Sequence, residues 1–216
     1  MSYSYYKWMG LISIALFFLN EIVFDWWLSG KFPDYNWQQQ SISYLGQRGS
    51  PLLTYVEIWG VVFTLLLTIF ICSVFYEYKD IPHSKVAAIL LLIYAWGEGI
   101  GSAFFPINAP GQPFDKSAML HNIFSSSGDL CLMGFTALLI IRFRSQYTKS
   151  FYYYLGSVLI IGISMGSMFS IAKYYRPNNM ILEYKGIWQR LYNLNFHLML
   201  LLIGFHLTFR RAKAVM

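Results

Sequence analysis

Residues 58–75, IWGVVFTLLLTIFICSVF, form a run of apolar and uncharged residues without a single charged side chain. A helix needs about 20 mainly apolar residues to cross the roughly 30 Å hydrocarbon core of a bilayer. With its flanks, this run predicts a membrane span over residues 52–76. Five similar stretches predict further spans, at residues 9–28, 86–105, 118–141, 151–172 and 188–209. We therefore predict an all-α integral membrane protein, a six-helix bundle that forms a single transmembrane domain over residues 1–216.

The composition supports the same class. Of the 216 residues, 56% are hydrophobic and 12% are charged, whereas soluble proteins have about 25% charged residues. A disordered chain, a coiled coil and an ordinary soluble enzyme are therefore excluded. The 16 Lys and Arg residues are scattered, so we expect no nucleic-acid partner. Cys72 and Cys131 both lie in apolar runs, which argues against a disulfide framework or a CxxC metal site.

The distribution of Lys and Arg predicts the orientation, because cytoplasmic connections are enriched in these residues. The side that holds the N-terminus has nine of them and the other side has seven. Five of the nine lie directly at helix ends, namely Arg142, Arg144, Arg210, Arg211 and Lys213. We predict that the protein lies in a bacterial inner membrane with both termini in the cytoplasm.

Ionisable side chains within the spans are the candidate functional residues, because each costs about 2.5–3.5 kcal/mol or more to insert. They are Glu21, Asp25, Glu57, Glu98, His121, Asp129, Arg190, His197 and His206. At a rise of about 1.5 Å per residue, Asp129 and His197 lie near the membrane midplane. Only His206 lies in the inner half. The polar groups thus predict one cavity that opens toward the outer side.

Helical spacing places several of these groups on shared faces. One face of the fourth span carries His121, Ser125 and Asp129, and one face of the sixth carries Arg190, Asn193 and His197. Any one of these residues alone could be an interhelical contact. Together they predict a binding pocket formed by Glu21, Asp25, Glu98, Ser125, Arg190, Asn193 and Arg48.

Catalysis in this pocket is a hypothesis that the sequence leaves open. His197 or His121 would act as the general base, and Asp129 would orient it. Residues 162–166 read G-x-S-x-G and offer Ser164 as a nucleophile. That motif marks a nucleophile only at a strand-to-helix turn, whereas here it lies inside a span. Its glycines are equally typical of a helix-packing face.

No cofactor is assigned from the sequence, and no metal site is predicted. The outer side lacks an HExxH motif and a set of three histidines, so the ligands for zinc are too few. His121 and His197 differ in depth by about 10 Å, which argues against a pair of axial haem ligands.

Several motifs resemble one family of bacterial and archaeal membrane proteins, known only as domain of unknown function 998. Residues 41–46 and 49–51 resemble its ISxLG…GSP segment. Residues 101–108 are similar to its G-x-F-P-x-D motif, with Asn at the usual Asp position, and residues 186–191 to its G-x-x-E/Q-R-x motif. The resemblance implies a six-helix membrane bundle without an established activity. It also implies that His121, Arg190, Pro106 and the segment 41–46 are positions that the family shares.

Our functional prediction is recognition or processing of a lipid or lipid-linked molecule in the outer leaflet. Arg48 and Arg190 would contact its phosphate or carboxylate in a bidentate manner, and residues 29–51 would form either a lid or a plain surface loop. Two alternatives remain, an accessory subunit of a larger membrane complex and a proton- or cation-coupled transporter. The expected partners are membrane lipids and, under the accessory-subunit alternative, another membrane protein.

Overall fold

The computed structural model describes residues 2–175 and 180–209, and it confirms the predicted all-α membrane bundle. Six helices are long and apolar enough to cross a membrane, so the chain is a multi-pass membrane protein. They are α1 (Ser2–Ser29), α2 (Leu53–Tyr78), α3 (Ser84–Phe104), α4 (Lys116–Arg142), α5 (Lys149–Tyr175) and α6 (Lys185–Phe209). A short helix, Met180–Glu183, precedes α6.

The six helices form a ring in chain order. Each helix packs against the next one, and α6 returns to pack against α1. Aromatic side chains fill the centre, and Phe17, Phe70, Phe135 and Phe196 are fully buried there. Large apolar side chains such as Leu65 cover the outside, which suits a surface that contacts lipid tails, since these are as apolar as leucine.

Helices α2 and α3 approach closely because two glycines face each other. A Cβ atom on Gly99 would lie 2.8 Å from the carbonyl oxygen of Gly60 and 2.9 Å from the ring of Phe63. Gly99 belongs to a π-helical segment of α3, Ala95–Gly101. Such wider turns are frequent at functional sites.

The same π-helical segment also contacts α4. A Cβ atom on Gly97 would lie 2.6 Å from the carbonyl oxygen of Phe124, and one on Gly101 would overlap the Phe124 ring. Between these contacts, the carboxylate of Glu98 accepts a hydrogen bond of 2.6 Å from the hydroxyl of Ser125. Close glycine packing therefore positions Glu98 against α4.

The two ends of the bundle differ. At one end, residues 30–52, which we call the cap, fold across the helix ends and contain the short helical turn Ile42–Tyr44. At the other end, Tyr78 donates a 2.8 Å hydrogen bond to Tyr147, and His206 contacts the carbonyl oxygen of Gln146. That the cap end faces outward remains a prediction, and Arg210, Arg211 and Lys213, on which it partly depends, lie outside the described residues.

Replacing Gly99 with alanine is expected to destabilise the bundle. The added methyl group would overlap α2, and overpacking of this kind costs about 1–3 kcal/mol. Gly134→Ala is the matched control, because the nearest atom to its Cβ is 3.7 Å away, on Leu90. We expect a lower melting temperature in detergent for Gly99→Ala and an unchanged or higher one for Gly134→Ala. Equal melting temperatures for the two variants would contradict the α2–α3 contact.

Candidate functional site

Arg190 of α6 forms a bidentate ion pair with Asp25 of α1. Its Nε and Nη2 atoms each lie 2.7 Å from one carboxylate oxygen of Asp25. The two side chains are only 17% and 21% exposed. Charge-assisted, bidentate contacts of this type are stronger and more specific than ordinary hydrogen bonds. This pair therefore joins the last helix of the ring to the first.

The remaining donors of Arg190 hold the cap. Nη1 lies 2.8 Å from the carbonyl oxygen of Trp37, 3.3 Å from that of Gln40 and 3.1 Å from that of Gly186. Nη2 also donates to the hydroxyl of Tyr35 at 3.0 Å. All five N–H groups of the guanidinium thus have acceptors, so the predicted contact between Arg190 and a lipid head group would require these bonds to break.

Tyr35 extends the same network into the cap. Its hydroxyl donates toward the carbonyl oxygens of Gln40 and Ser41, at 3.1 and 3.0 Å. Burial raises the pKa of the Tyr35 phenol, and the hydrogen bond from Arg190 only partly opposes this effect. The phenol therefore stays protonated and can donate to the cap while it accepts from Arg190.

Two further hydrogen bonds, both from or to the backbone, attach the cap to α6. Gln189 accepts a 2.7 Å hydrogen bond from the backbone N–H of Ile42 through its side-chain oxygen. The backbone N–H of Ile187 donates to Gln38 at 3.1 Å. Gly186 permits this approach, because a Cβ atom there would lie 2.9 Å from the carbonyl oxygen of Gln38.

His121 of α4 also acts as a link to the cap. Its Nδ1 lies 2.9 Å from the carbonyl oxygens of both Ser102 and Phe105, at the end of α3. Because carbonyls only accept, Nδ1 carries the proton, and Nε2 is free to accept from the hydroxyl of Ser43 at 3.2 Å. Both nitrogens of His121 are thus engaged in holding α3, α4 and the cap together.

Arg48 attaches the cap to the connection between α3 and α4. Its backbone N–H donates to Ile107 at 2.8 Å, and its side chain pairs with Asp115 at 2.7 Å while remaining 58% exposed. In the same connection, the Asn108 amide donates to the carbonyl oxygen of Pro113. Asn108, the departure from the family pattern, thus has a local structural role.

A cavity of about 370 Å³ lies between α1 and α6, and we call it the α1–α6 cavity. Glu21 and His197 lie on its walls. Glu21 accepts a 2.9 Å hydrogen bond from the indole of Trp59. His197 is buried, with Nε2 2.7 Å from the hydroxyl of Tyr94 and Nδ1 3.9 Å from the carboxylate of Glu21.

A larger cavity of about 960 Å³ is lined by α3, α4, α5, α6 and the cap, and we call it the α4–α6 cavity. Its polar side chains are Ser41, Glu98, Asn122, Ser125, Ser126, Asp129, Ser167, Lys185, Gln189, Tyr192 and Asn193. Its apolar side chains are Leu130, Met133, Ile163, Ile171 and Leu182. The cavity therefore has both a polar and an apolar lining.

The structure distributes the predicted pocket residues over two cavities. Glu21, Asp25, Arg190 and His197 line the α1–α6 cavity, whereas Glu98, Ser125 and Asp129 line the α4–α6 cavity. Asn193 lines both. Arg48 and His121 are among the residues of neither lining.

The predicted catalytic arrangement is not brought together. His197 and Asp129 lie in different cavities, and His197 has Tyr94 and Glu21 as its neighbours instead. Ser164 is exposed on α5 and belongs to neither lining. Within residues 2–175 and 180–209, no three His, Cys, Asp or Glu side chains are grouped as metal ligands.

Sequence reasoning missed the second polar face of α6. Lys185, Gln189 and Tyr192 follow at i, i+4 and i+7, so they share a face, and this face lines the α4–α6 cavity. The spacing was visible in the sequence. Tyrosine and glutamine carry no charge, however, so the search for costly ionisable groups did not select them.

Arg190→Ala is expected to loosen the cap. Removing one partner of a largely buried ion pair costs about 3–5 kcal/mol, whereas an exposed pair contributes about 0–1 kcal/mol. Arg48→Ala, which removes the exposed pair with Asp115, is the matched control. In limited proteolysis, we expect the segment 30–52 to be cut much faster in Arg190→Ala than in Arg48→Ala. Equal cutting rates would show that Arg190 does not hold the cap.

Comparison with known proteins places this architecture in a family. The family model described as "Protein of unknown function (DUF998)" matches residues 11–206. The match extends from the first helix to the last and includes the cap, both cavities and all the contacts of Arg190. No curated protein and no solved structure matches the chain. The chain belongs to the DUF998 family of proteins of unknown function.

Proposed function

We propose that the protein binds a lipid or lipid-linked molecule in the α4–α6 cavity. The observation that carries this proposal is the mixed lining of a cavity of about 960 Å³. Small-molecule sites typically measure about 300–1,000 Å³ and combine apolar walls with a few polar groups. An amphiphile has the matching chemistry, with a head group for the polar side and a chain for Leu130 and Ile163.

The depth of the polar lining supports an amphiphile rather than a surface ligand. Asp129 lies about 20 Å along α4 from its first residue, Lys116. A carboxylate at that depth is costly and usually faces a water-filled cavity or a binding site. A lipid head group drawn into the cavity would supply the polar contacts that hydrocarbon tails cannot.

The surroundings of the cavity favour access from the membrane. At the cap end, the hydrogen bond between Ile42 and Gln189 lies beside the cavity residue Ser41. Between α4 and α5, the nearest atom to a Cβ on Gly166 would be Cε of Met133, at 3.8 Å. That distance is an ordinary van der Waals contact, but the lining side chains Leu130 of α4 and Ile163 of α5 are exposed, so an acyl chain from the bilayer can lie against them. Under the predicted orientation, the ligand would come from the outer leaflet of a bacterial inner membrane.

Binding is better supported than catalysis. No histidine is present among the described residues of the α4–α6 lining, and Ser164 is outside it. The general base and nucleophile of the enzymatic hypothesis are therefore away from the proposed ligand. Asn193 lines both cavities, which alone does not make a transport path. Neither the transporter nor the accessory-subunit alternative has a specific contact in its favour.

Filling the cavity at Gly166 tests this proposal. Gly166→Leu places a side chain in the α4–α6 cavity, whereas Gly156→Leu adds the same side chain on the same helix where no atom lies within 4 Å of the Cβ. We expect native mass spectrometry of gently extracted protein to show a lipid adduct in the wild type and in Gly156→Leu. The adduct should decrease about tenfold or more in Gly166→Leu, which corresponds to about 1.4 kcal/mol.

An equal amount of lipid on both variants would contradict binding in this cavity. A second polypeptide that accompanies the protein in place of a lipid would instead favour the accessory-subunit alternative. The two variants should have similar melting temperatures, so that a loss of lipid in Gly166→Leu is not explained by unfolding.

A further inference from the structure

Two carboxylates in the α4–α6 cavity lack a cationic partner in the described part of the chain. The ion pairs among the described residues join other carboxylates, namely Asp25 with Arg190, Glu77 with Lys7 and Asp115 with Arg48, and Glu21 lies near His197. Glu98 has a hydrogen bond from Ser125 but no ion pair, and Asp129 has none either. Ionisable groups inside a membrane normally pair with one another or serve a ligand.

A third polar group in the cavity is incompletely satisfied. Tyr192 is 7% exposed, and its hydroxyl has no hydrogen-bond partner. The hydroxyl lies beside the Asp129 carboxylate. A buried polar group left unsatisfied costs about 1–3 kcal/mol. This cost gives the cavity a reason to bind a polar ligand at this point.

We propose that the ligand carries a primary ammonium group, which binds between Glu98, Asp129 and Tyr192. This inference rests on the proposed lipid-binding function and adds the chemical class of the head group. A primary ammonium has three N–H donors and no acceptor. The two carboxylates and the phenol oxygen offer three acceptors, and the carboxylates also neutralise the charge.

A lipid of the phosphatidylethanolamine type fits the rest of the cavity. Lys185 lies on the same lining as Tyr192, seven residues nearer the start of α6, which is about 10 Å of helix. Its flexible, positively charged side chain can reach toward the phosphate of a zwitterionic head group. A quaternary ammonium such as choline has no N–H group and could donate a hydrogen bond to none of the three acceptors.

The test compares lipids that have identical acyl chains. The protein is placed in nanodiscs that contain equal amounts of phosphatidylethanolamine, phosphatidylcholine and phosphatidylglycerol, and the retained lipid is identified by native mass spectrometry. We expect phosphatidylethanolamine to be retained about tenfold over phosphatidylcholine. A parallel sample contains soluble phosphoethanolamine, which is the same head group without acyl chains. It shows whether binding requires the lipid or only the head group.

Variants assign the preference to the three groups. Glu98→Gln combined with Asp129→Asn should abolish the preference, and Tyr192→Phe should weaken it severalfold. Glu57→Gln is the matched control, because Glu57 lies on α2 outside both linings, and it should retain the full preference. Melting temperatures verify that each variant is folded.

The outcomes separate this inference from the proposed function. Equal retention of the three lipids, or a preference for phosphatidylglycerol, overturns the ammonium proposal. If Gly166→Leu still removes the lipid in that case, the lipid-binding function of the cavity stands. No retained lipid under any condition overturns both proposals. If soluble phosphoethanolamine binds as well as phosphatidylethanolamine does, the ammonium group need not come from a lipid, and that part of the proposal is overturned.

Discussion

A bidentate ion pair between Asp25 and Arg190 holds the cap end of the bundle together. It joins α1 to α6, the two helices that close the ring, and the same guanidinium holds the carbonyl groups of Trp37 and Gln40 in the cap. Such a pair is costly to bury unless its remaining donors are satisfied. Here all the donors of Arg190 are satisfied, so the pair fixes the position of the cap relative to α1 and α6. Both cavities lie beside α6, the helix that carries Arg190.

The motifs that carry the family resemblance meet in this same region. Residues 41–46 belong to the cap, residues 101–108 end α3, His121 joins them, and residues 186–191 supply Arg190, Gln189 and Gly186. Each motif therefore has a structural explanation in the attachment of the cap. Most of the α4–α6 lining, including Asp129 and Tyr192, lies outside these motifs, whereas Ser41 and Gln189 belong both to a motif and to the lining.

The sequence predicted the fold well because a membrane span is a local property. An apolar run such as residues 58–75 specifies a helix without reference to the rest of the chain. The site was predicted less completely, since a cavity depends on how each helix is rotated against its neighbours. The predicted face of α6 that carries His197 lines the α1–α6 cavity, and the hydrogen-bond partner of His197 is Tyr94, an uncharged residue. The spacing of Lys185, Gln189 and Tyr192 was visible in the sequence, but it did not indicate that this face of α6 would line a second cavity.

Cryo-electron microscopy of the protein in nanodiscs would show whether the α4–α6 cavity is a lipid site and whether the cap is held in place beside it. We expect a head-group density between Glu98, Asp129 and Tyr192, an acyl chain that leaves between α4 and α5, and a cap held by Arg190. A cavity closed by direct packing of α5 against α4, or one that contains only water, would contradict this expectation.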